Sequence, residues 1–452
     1  MKQQSKRRRL ILFPLPLQGH INPMFQLATI LHSRGFCITV IHTAFNSLKP
    51  SDHPEFTFRP ISDGLSEAEA STTDLISLLD LINTKCADPF RKCLAHLLSE
   101  ASEEEPIACL ISDAILHFTG AVARGLNLPR VVLRTGGVSS FVAFAAFPLL
   151  LQKSYLPVQE SRLEEPVPEL PPLRVKDLPV INTGNPEILY KIVADMVRET
   201  KASSGVIFNS FEELEHQALT TLQKDFQIPI FPIGPFHKHF PAYSSDLSPN
   251  DQKSCISWLD KQAAKSVVYM SFGSIAVVDK AAFLEVAWGL ANSGQPFLWV
   301  VRPGSVNESE WLDPLPNGFF EMVQRRGKIV KWAPQQQVLA HPAVGAFWTH
   351  NGWNSTLESV SEGVPMICTP CFTDQLVNAR FVSRVWKIGL HLESGLERRK
   401  IERMIRRVLV GKEGEELKER ATQLKEKVNQ CVKIGGSSHG ALESLISSIS
   451  SF

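Results

Sequence analysis

Residues 344–370 read VGAFWTHNGWNSTLESVSEGVPMICTP. An apolar run ends at Trp348 and Thr349, a tight polar loop follows through His350, Asn351 and Gly352, and a helical pattern stops at Gly363. A second apolar run, PMICTP, closes the stretch. Strand, loop, helix and strand in that order form the repeating unit of a parallel sheet, because parallel strands need a crossover that a helix supplies.

The same alternation continues outward. SVVYMSFGS (266–274), PFLWVVRP (296–303), GKIVKW (327–332) and KIGLHL (387–392) read as further strands of the C-terminal half. In the N-terminal half RLILFPL (9–15), FCITVIH (36–42), PIACLISD (106–113), PRVVLRT (129–135) and SGVIFNS (204–210) do the same. Between the first two, INPMFQLATILHSRG (21–35) predicts a helix, with Asn22 and Pro23 suited to its cap and first turn and Gly35 to its stop. Continuous apolar strands separated by helices imply sheets covered on both faces. The expected fold is therefore α/β, with two doubly wound, Rossmann-like domains facing across a cleft. We place the first domain at 1–237 and a Ser-, Pro- and Asp-rich linker at 238–252. The second domain takes 253–434, and a last helix at 435–452 is expected to pack back on the first domain.

Composition narrows the function. The chain has 452 residues, 44% hydrophobic and 21% charged, with 47 basic against 46 acidic side chains and a net charge of +1. Such a balance recruits neither nucleic acid nor acidic partners. The basic run Lys6–Arg9 reads as a solvated tail. Prolines interrupt LILFPLPL before it can serve as a signal sequence, and the longest apolar run, FVAFAAFPLLL (141–151), is too short to span a bilayer. Eight scattered cysteines fit reduced thiols. Cys368 and Cys371 have CxxC spacing, but no second pair completes a metal site. A soluble, cytosolic, monomeric protein with no metal and no cofactor is expected.

In open α/β sheets ligands bind beyond the carboxyl ends of strands. Polar residues in those places are His20, Asp113, Thr135, Ser274, Trp332, His350 and Asp374. The helix after His350 offers free amides and a positive dipole end to an anion, with His350, Asn354 and Ser355 as added partners. Ser355 and Glu358 also match a capping box, which would account for those two but not for His350 and Trp353. Glu358 suits the vicinal hydroxyls of a ribose. Trp332 suits a planar base or plain packing, with Ala333 and Gln335 beside it. Asp374 and Gln375 suit the adjacent hydroxyls of a sugar, or Asp374 a helix cap. Base, ribose, phosphate and sugar partners follow one another along one domain, as a nucleotide sugar requires.

The 44 residues from Trp332 to Gln375, WAPQQQVLAHPAVGAFWTHNGWNSTLESVSEGVPMICTPCFTDQ, resemble the signature box of plant UDP-dependent glycosyltransferases, family 1, with the GT-B fold. FPLPLQGHINPM, SFGS and the chain length extend the resemblance over nearly the whole sequence, and KASSGVIFNSFEELE and PFLWVVRPG resemble the branch acting on steviol glycosides and cytokinins. Position 351 is Asn where several relatives carry Ser. The resemblance implies UDP-glucose as donor, a small lipophilic acceptor and a β-glucoside product. It assigns Trp332 to uracil, Ala333 and Gln335 to uracil and ribose, and Glu358 to the ribose hydroxyls. Ser274, His350, Asn354 and Ser355 fall to the diphosphate, and Trp353, Asp374 and Gln375 to the sugar, with Thr135 near its 6-position. His20 becomes the base that deprotonates the acceptor and Asp113 the group that orients it.

Acceptor walls are expected from Leu17, Leu79, Ile82, Phe141, Phe144, Met196 and Thr373, with core packing as the alternative. Two rival functions remain. A nicotinamide oxidoreductase lacks GxGxxG after either first strand, since FPLPLQG and SFGSIA both fail. A nucleotide-sugar-binding regulator without turnover would not need the His20–Asp113 pair.

Overall fold

A computed structural model describes residues 7–46, 49–72, 74–240, 249–273, 278–306, 311–312, 315–393 and 395–452. The N-terminal strands are β1 Arg9–Phe13, β2 Cys37–Thr43, β3 Thr57–Ile61, β4 Ile107–Asp113, β5 Arg130–Arg134, β6 Gly205–Phe208 and β7 Ile230–Pro232. They form one parallel sheet in the order β3-β2-β1-β4-β5-β6-β7. The second series is β8 Val267–Ser271, β9 Phe297–Val300, β10 Gly327–Val330, β11 Val344–Thr349, β12 Met366–Cys368 and β13 Gly389–His391. Its parallel order, β10-β9-β8-β11-β12-β13, repeats the winding of the first sheet.

In both sheets the chain starts at the centre, moves to one edge, then returns to the centre and proceeds to the other. The reversal falls between β1 and β4 in one sheet and between β8 and β11 in the other. At such a reversal the crossover helices depart to opposite faces and leave a crevice beyond the strand ends.

Aliphatic runs explain the centres of the sheets. Leu10, Ile11, Leu12, Cys109, Leu110, Ile111, Val132 and Leu133 are all inaccessible to solvent. In the second unit Val268, Met270, Phe283, Trp299, Trp348 and Ile405 share one core. Trp348 is buried with its Nε1 donating to Thr369 Oγ1 at 2.9 Å. That bond meets the demand of a buried indole N–H, and truncation there would cost about 3–5 kcal/mol.

The helix Gln18–Ser33 starts three residues before the predicted one. Leu17, in extended conformation, is its cap, and the Leu17 carbonyl accepts from the amides of His20 and Ile21 at 2.8 and 2.9 Å. Asn22 and Pro23 therefore lie inside the helix rather than at its cap, and His20 sits in its first turn. Gly35, at φ +93, does follow the helix end, where left-handed backbone suits glycine.

Two compact units divide the chain. One comprises 1–161, 181–239 and 431–452; the other comprises 162–180 and 240–430. The helix Ser437–Ser451 thus groups with the first sheet, where Ser438 Oγ donates to the Gly234 carbonyl at 2.6 Å. Segment 162–180 groups with the second. Most of the predicted linker at 238–252 lies outside the described residues, and a helix already begins at Pro249.

Candidate functional site

Three neighbouring strand ends of the first sheet bring three polar side chains together. His20 follows β1, Asp113 ends β4 and Thr135 follows β5. His20 Nδ1 lies 2.7 Å from Asp113 Oδ2 and 3.0 Å from Thr135 Oγ1. The Asp113 side chain is 1% exposed and that of His20 24%. A buried carboxylate beside Nδ1 favours the tautomer with its proton on Nδ1, leaving Nε2 as a basic nitrogen. Asp113 is itself held, since Oδ1 accepts from the Ile115 amide at 2.9 Å. Thr135, which the resemblance gives to the donor sugar, here completes the environment of His20. The loop after Thr135 is fixed by Glu215, whose carboxylate accepts from the Val138 and Ser139 amides at 2.8 Å each and from Ser210 Oγ at 2.7 Å. Glu215 had no local signal, because its partners lie up to 77 positions away.

The second sheet has its polar loops at the corresponding reversal. His350 follows β11, and Gly273 lies just beyond β8. A Cβ on Gly273 would come within 2.6 Å of the His350 ring, and one on Gly352 within 2.6 Å of its Nε2. Two glycines therefore make the slot that the imidazole occupies. Burial drives its pKa down to about 4, against a hydrogen bond with the Ser271 backbone that pulls the other way. The ring is consequently neutral near pH 7 and meets an anion as a hydrogen-bond donor rather than as a cation. Asn351 is buried at φ +62 and its amide donates to Cys368 Sγ at 3.3 Å. Asparagine tolerates that left-handed conformation better than serine does. Ser274 lies outside the described residues.

The helix Trp353–Glu362 has Gly352 as its cap and no side-chain capping bond. The capping-box reading of Ser355 and Glu358 is thereby corrected: both are helical residues, with Asn354 and Ser355 in the first turn. Trp353 is buried at the helix start, its ring 6.3 Å from that of Trp386.

Trp332, just past β10, is 41% exposed, unusually open for an indole. Ala333 beside it is buried. Gln335 bridges three groups: its Oε1 accepts from Tyr269 OH at 3.2 Å, and its Nε2 donates to Ser355 Oγ at 2.9 Å and to Glu358 Oε2 at 2.7 Å. Gln336, not singled out from sequence, donates to Glu358 Oε1 at 3.1 Å. Burial raises the pKa of Glu358, while the two amides oppose the rise.

Asp374 and Gln375 open the helix Asp374–Arg380, with Thr373 rather than Asp374 as its cap. Asp374 accepts from Thr373 Oγ1 at 3.0 Å and from Asn378 Nδ2 at 3.2 Å. Gln375 Oε1 accepts from the Cys371 and Phe372 amides at 2.9 and 3.3 Å, so the NH2 end is the one left for a sugar hydroxyl.

The expected acceptor walls fare differently. Leu17 is partly exposed at the start of the helix carrying His20. Ile82 and Phe141 have no accessible surface; Phe141 packs edge-on against Phe208 and Phe226, which makes both residues core. Leu79 is nearly buried. Phe141, Phe144 and Met196 surround one buried cation: the Arg134 guanidinium lies 5.3 and 5.5 Å from the two rings, and Arg134 donates to Met196 Sδ at 3.3 Å. Those three are corrected from acceptor wall to packing around Arg134.

Cys368 and Cys371 are free, and burial pushes the Cys368 thiol up to about 12, away from the reactive thiolate. Among the described residues no three His, Cys, Asp or Glu side chains group as a metal site, and no helix is long and apolar enough to cross a membrane.

The chain has known counterparts. The sequence profile of the family described as UDP-glucoronosyl and UDP-glucosyl transferase matches residues 17–426. The chain is 53% identical to UDP-glycosyltransferase 76B1 and 54% to UDP-glycosyltransferase 76C4, both of Arabidopsis thaliana, over the whole of each chain. A solved UDP-glucose: anthocyanidin 3-O-glucosyltransferase in complex with UDP superposes with a TM-score of 0.86 at 27% identity, covering 99% of this chain and all of that one. Two parallel sheets with one winding order agree with these matches: the chain belongs to the plant family 1 UDP-glycosyltransferases and is a glycosyltransferase of the GT-B fold.

Proposed function

We propose that the enzyme transfers glucose from UDP-glucose to a hydroxyl of a small lipophilic acceptor with inversion, forming a β-glucoside. The observation that carries this reading is the 2.7 Å contact between His20 Nδ1 and Asp113 Oδ2 at the reversal of the first sheet. With Nδ1 engaged, Nε2 takes the proton of the acceptor hydroxyl near pH 7. The acceptor oxygen forms its bond to the anomeric carbon from the face opposite UDP. The bond from that carbon to the phosphate oxygen breaks, and its electron pair leaves with UDP. Asp113 stabilises the imidazolium that results.

On the donor side, Trp332 covers uracil and Glu358 accepts from the ribose hydroxyls. The start of the helix Trp353–Glu362 and the neutral His350 donate to the diphosphate as charge develops on it. Asp374 and Gln375 hold the glucose hydroxyls. The name of the anthocyanidin 3-O-glucosyltransferase supports both a glucose donor and a lipophilic acceptor. Eight free cysteines support a cytosolic setting. The oxidoreductase alternative falls with the family match, and the buried carboxylate behind His20 argues against a binding protein without turnover.

UDP release from UDP-glucose, measured over a panel of terpenoid, phenolic and flavonoid alcohols, tests the proposal. Acceptor-dependent UDP release with a β-configured product is expected. An α-configured product, or no release with any acceptor, would overturn it.

A further inference from the structure

We propose that the segment Arg162–Val180 is a strap that sets the sugar-holding end of the donor site, acting through Asp177 and Thr373 as positioning residues. The proposal rests on the reading that Asp374 and Gln375 hold glucose. The segment groups with the second unit although the chain on either side of it groups with the first. It touches the short helix Asp374–Arg380 at both ends. At the start, the Val180 carbonyl accepts from the Thr373 amide at 2.9 Å. At the end, Asp177 takes a two-pronged ion pair from Arg380, Nε to Oδ2 at 2.7 Å and Nη2 to Oδ1 at 3.1 Å.

Both side chains of that pair are 2% exposed. A fork-to-carboxylate pair removed from water is direction-specific, so it fixes the helix against rotation as well as displacement. Asp177 is in turn held by the Arg174 amide at 2.8 Å, in the single turn Val175–Asp177. Lys176 next to it donates to Glu164 and Glu393, each at 2.6 Å, tying the same turn to the strand-end residue Glu393.

Thr373 supplies the independent observation. Its backbone stands at φ +52, ψ −135, a region that a β-branched residue enters only when its surroundings impose it. The Val180 carbonyl is one imposing partner and Asp374, bonded to Thr373 Oγ1, the other. A segment serving only to cover the unit would not need to hold a strained residue directly before the two sugar partners. The strain is relieved if the strap lets go, and Asp374 and Gln375 then lose their orientation.

The test compares Thr373→Gly, Asp177→Asn and Gln375→Ala by KM for UDP-glucose, kcat and the Kd of free UDP. Thr373→Gly keeps the amide bond to Val180 but loses the Oγ1 bond to Asp374 and frees the backbone from its restricted conformation. It should therefore fold as well as the parent yet raise KM for UDP-glucose about tenfold or more, with the UDP Kd unchanged. Asp177→Asn should move KM in the same direction, and Asp177→Glu should restore part of the loss. Should Asp177→Asn not fold, Thr373→Gly decides alone. If Thr373→Gly keeps the parental KM while Gln375→Ala raises it, the strap proposal is wrong and the sugar reading stands. If Gln375→Ala leaves KM unmoved, the sugar reading fails and takes the strap's role with it. Loss of UDP affinity in step with KM would make the segment a general support and overturn the proposal.

Discussion

Gln335 and Glu358 are joined at 2.7 Å, amide to carboxylate, across 23 positions of sequence. With Gln336 on the other oxygen, Glu358 is aimed by two amides before any ribose arrives. Such preorientation spares a ligand the ordering of its partner.

Glu358→Gln keeps the shape and loses the charge, so UDP affinity should fall about tenfold, the scale of a hydrogen bond to a charged group. The raised pKa gives a second signature. As pH falls, Glu358 protonates sooner than an ordinary glutamate, and UDP binding should weaken early. Stability responds oppositely: a raised folded pKa contributes most below the ordinary glutamate value and is lost as pH rises through the folded one. UDP titrations and ligand-free melts of parent and variant, as pH is lowered from neutrality toward the ordinary glutamate value of 4.5, should show both trends flatten in Glu358→Gln. Because Gly352 caps the helix, no capping loss accompanies the change.

His350 carries the opposite shift, from 6.5 to about 4. A depressed pKa contributes stability that is full above the unfolded value and lost as pH falls through the folded one. The ligand-free melting temperature of the parent, relative to that of His350→Asn, should therefore drop between those values. His237 and His239, whose pKa values burial also lowers, keep their share of acid sensitivity in both. UDP, which favours the protonated ring, should shrink the drop in the parent. Unchanged acid sensitivity in His350→Asn would count against burial of the ring as the cause.

His20→Ala should cut turnover on alcohol acceptors about 100-fold or more while UDP binds as before. An acidic phenol needs less help in losing its proton and should lose less. Steady-state rates on paired alcohol and phenol acceptors, with UDP Kd measured alongside, check this. Full turnover on an alcohol would remove His20 from the mechanism.

Trp332→Ala should weaken UDP binding by about 1–3 kcal/mol, the range of base stacking on an aromatic ring. At 41% exposure, loss of this indole should cost less ligand-free stability than loss of the fully buried Trp348 would. Isothermal titration and a thermal melt of the same preparation suffice. A large loss of stability with intact UDP affinity would make the indole a packing residue.

The central strands were legible because a strand buried on both faces must be apolar throughout. The four inner strands of the second sheet announced themselves this way, and its edge strands Gly327–Val330 and Gly389–His391 were legible from short apolar runs although they are partly exposed. The two edge strands of the first sheet did not: Thr57–Ile61 is largely exposed and contains Pro60, and Ile230–Pro232 has three residues. Edges avoid apolar runs and tolerate proline, so the signal used for the centre is missing there. Site residues next to strand ends were legible one by one, but their partners were not. Gln336 and Glu215 meet their targets through folding, and nothing beside them in the chain says so. Local pattern also misled at Ser355 and Glu358, where capping spacing coincided with a helix that starts two residues earlier, at Trp353. Phe141 and Ile82 show the remaining gap: an apolar residue near a site reads the same whether it faces a ligand or the core.

The chain passes from one unit to the other after residues 161, 180, 239 and 430. A hybrid enzyme spliced once near residue 240, to pair the N-terminal half of one parent with the C-terminal half of another, therefore does not exchange whole units. It brings Asp177 from the first parent to Arg380 of the second, and closes the first parent's sheet with the second parent's last helix. Recombination that preserves both units needs the second parent's 162–180 and the first parent's 431–452, carried as separate inserts.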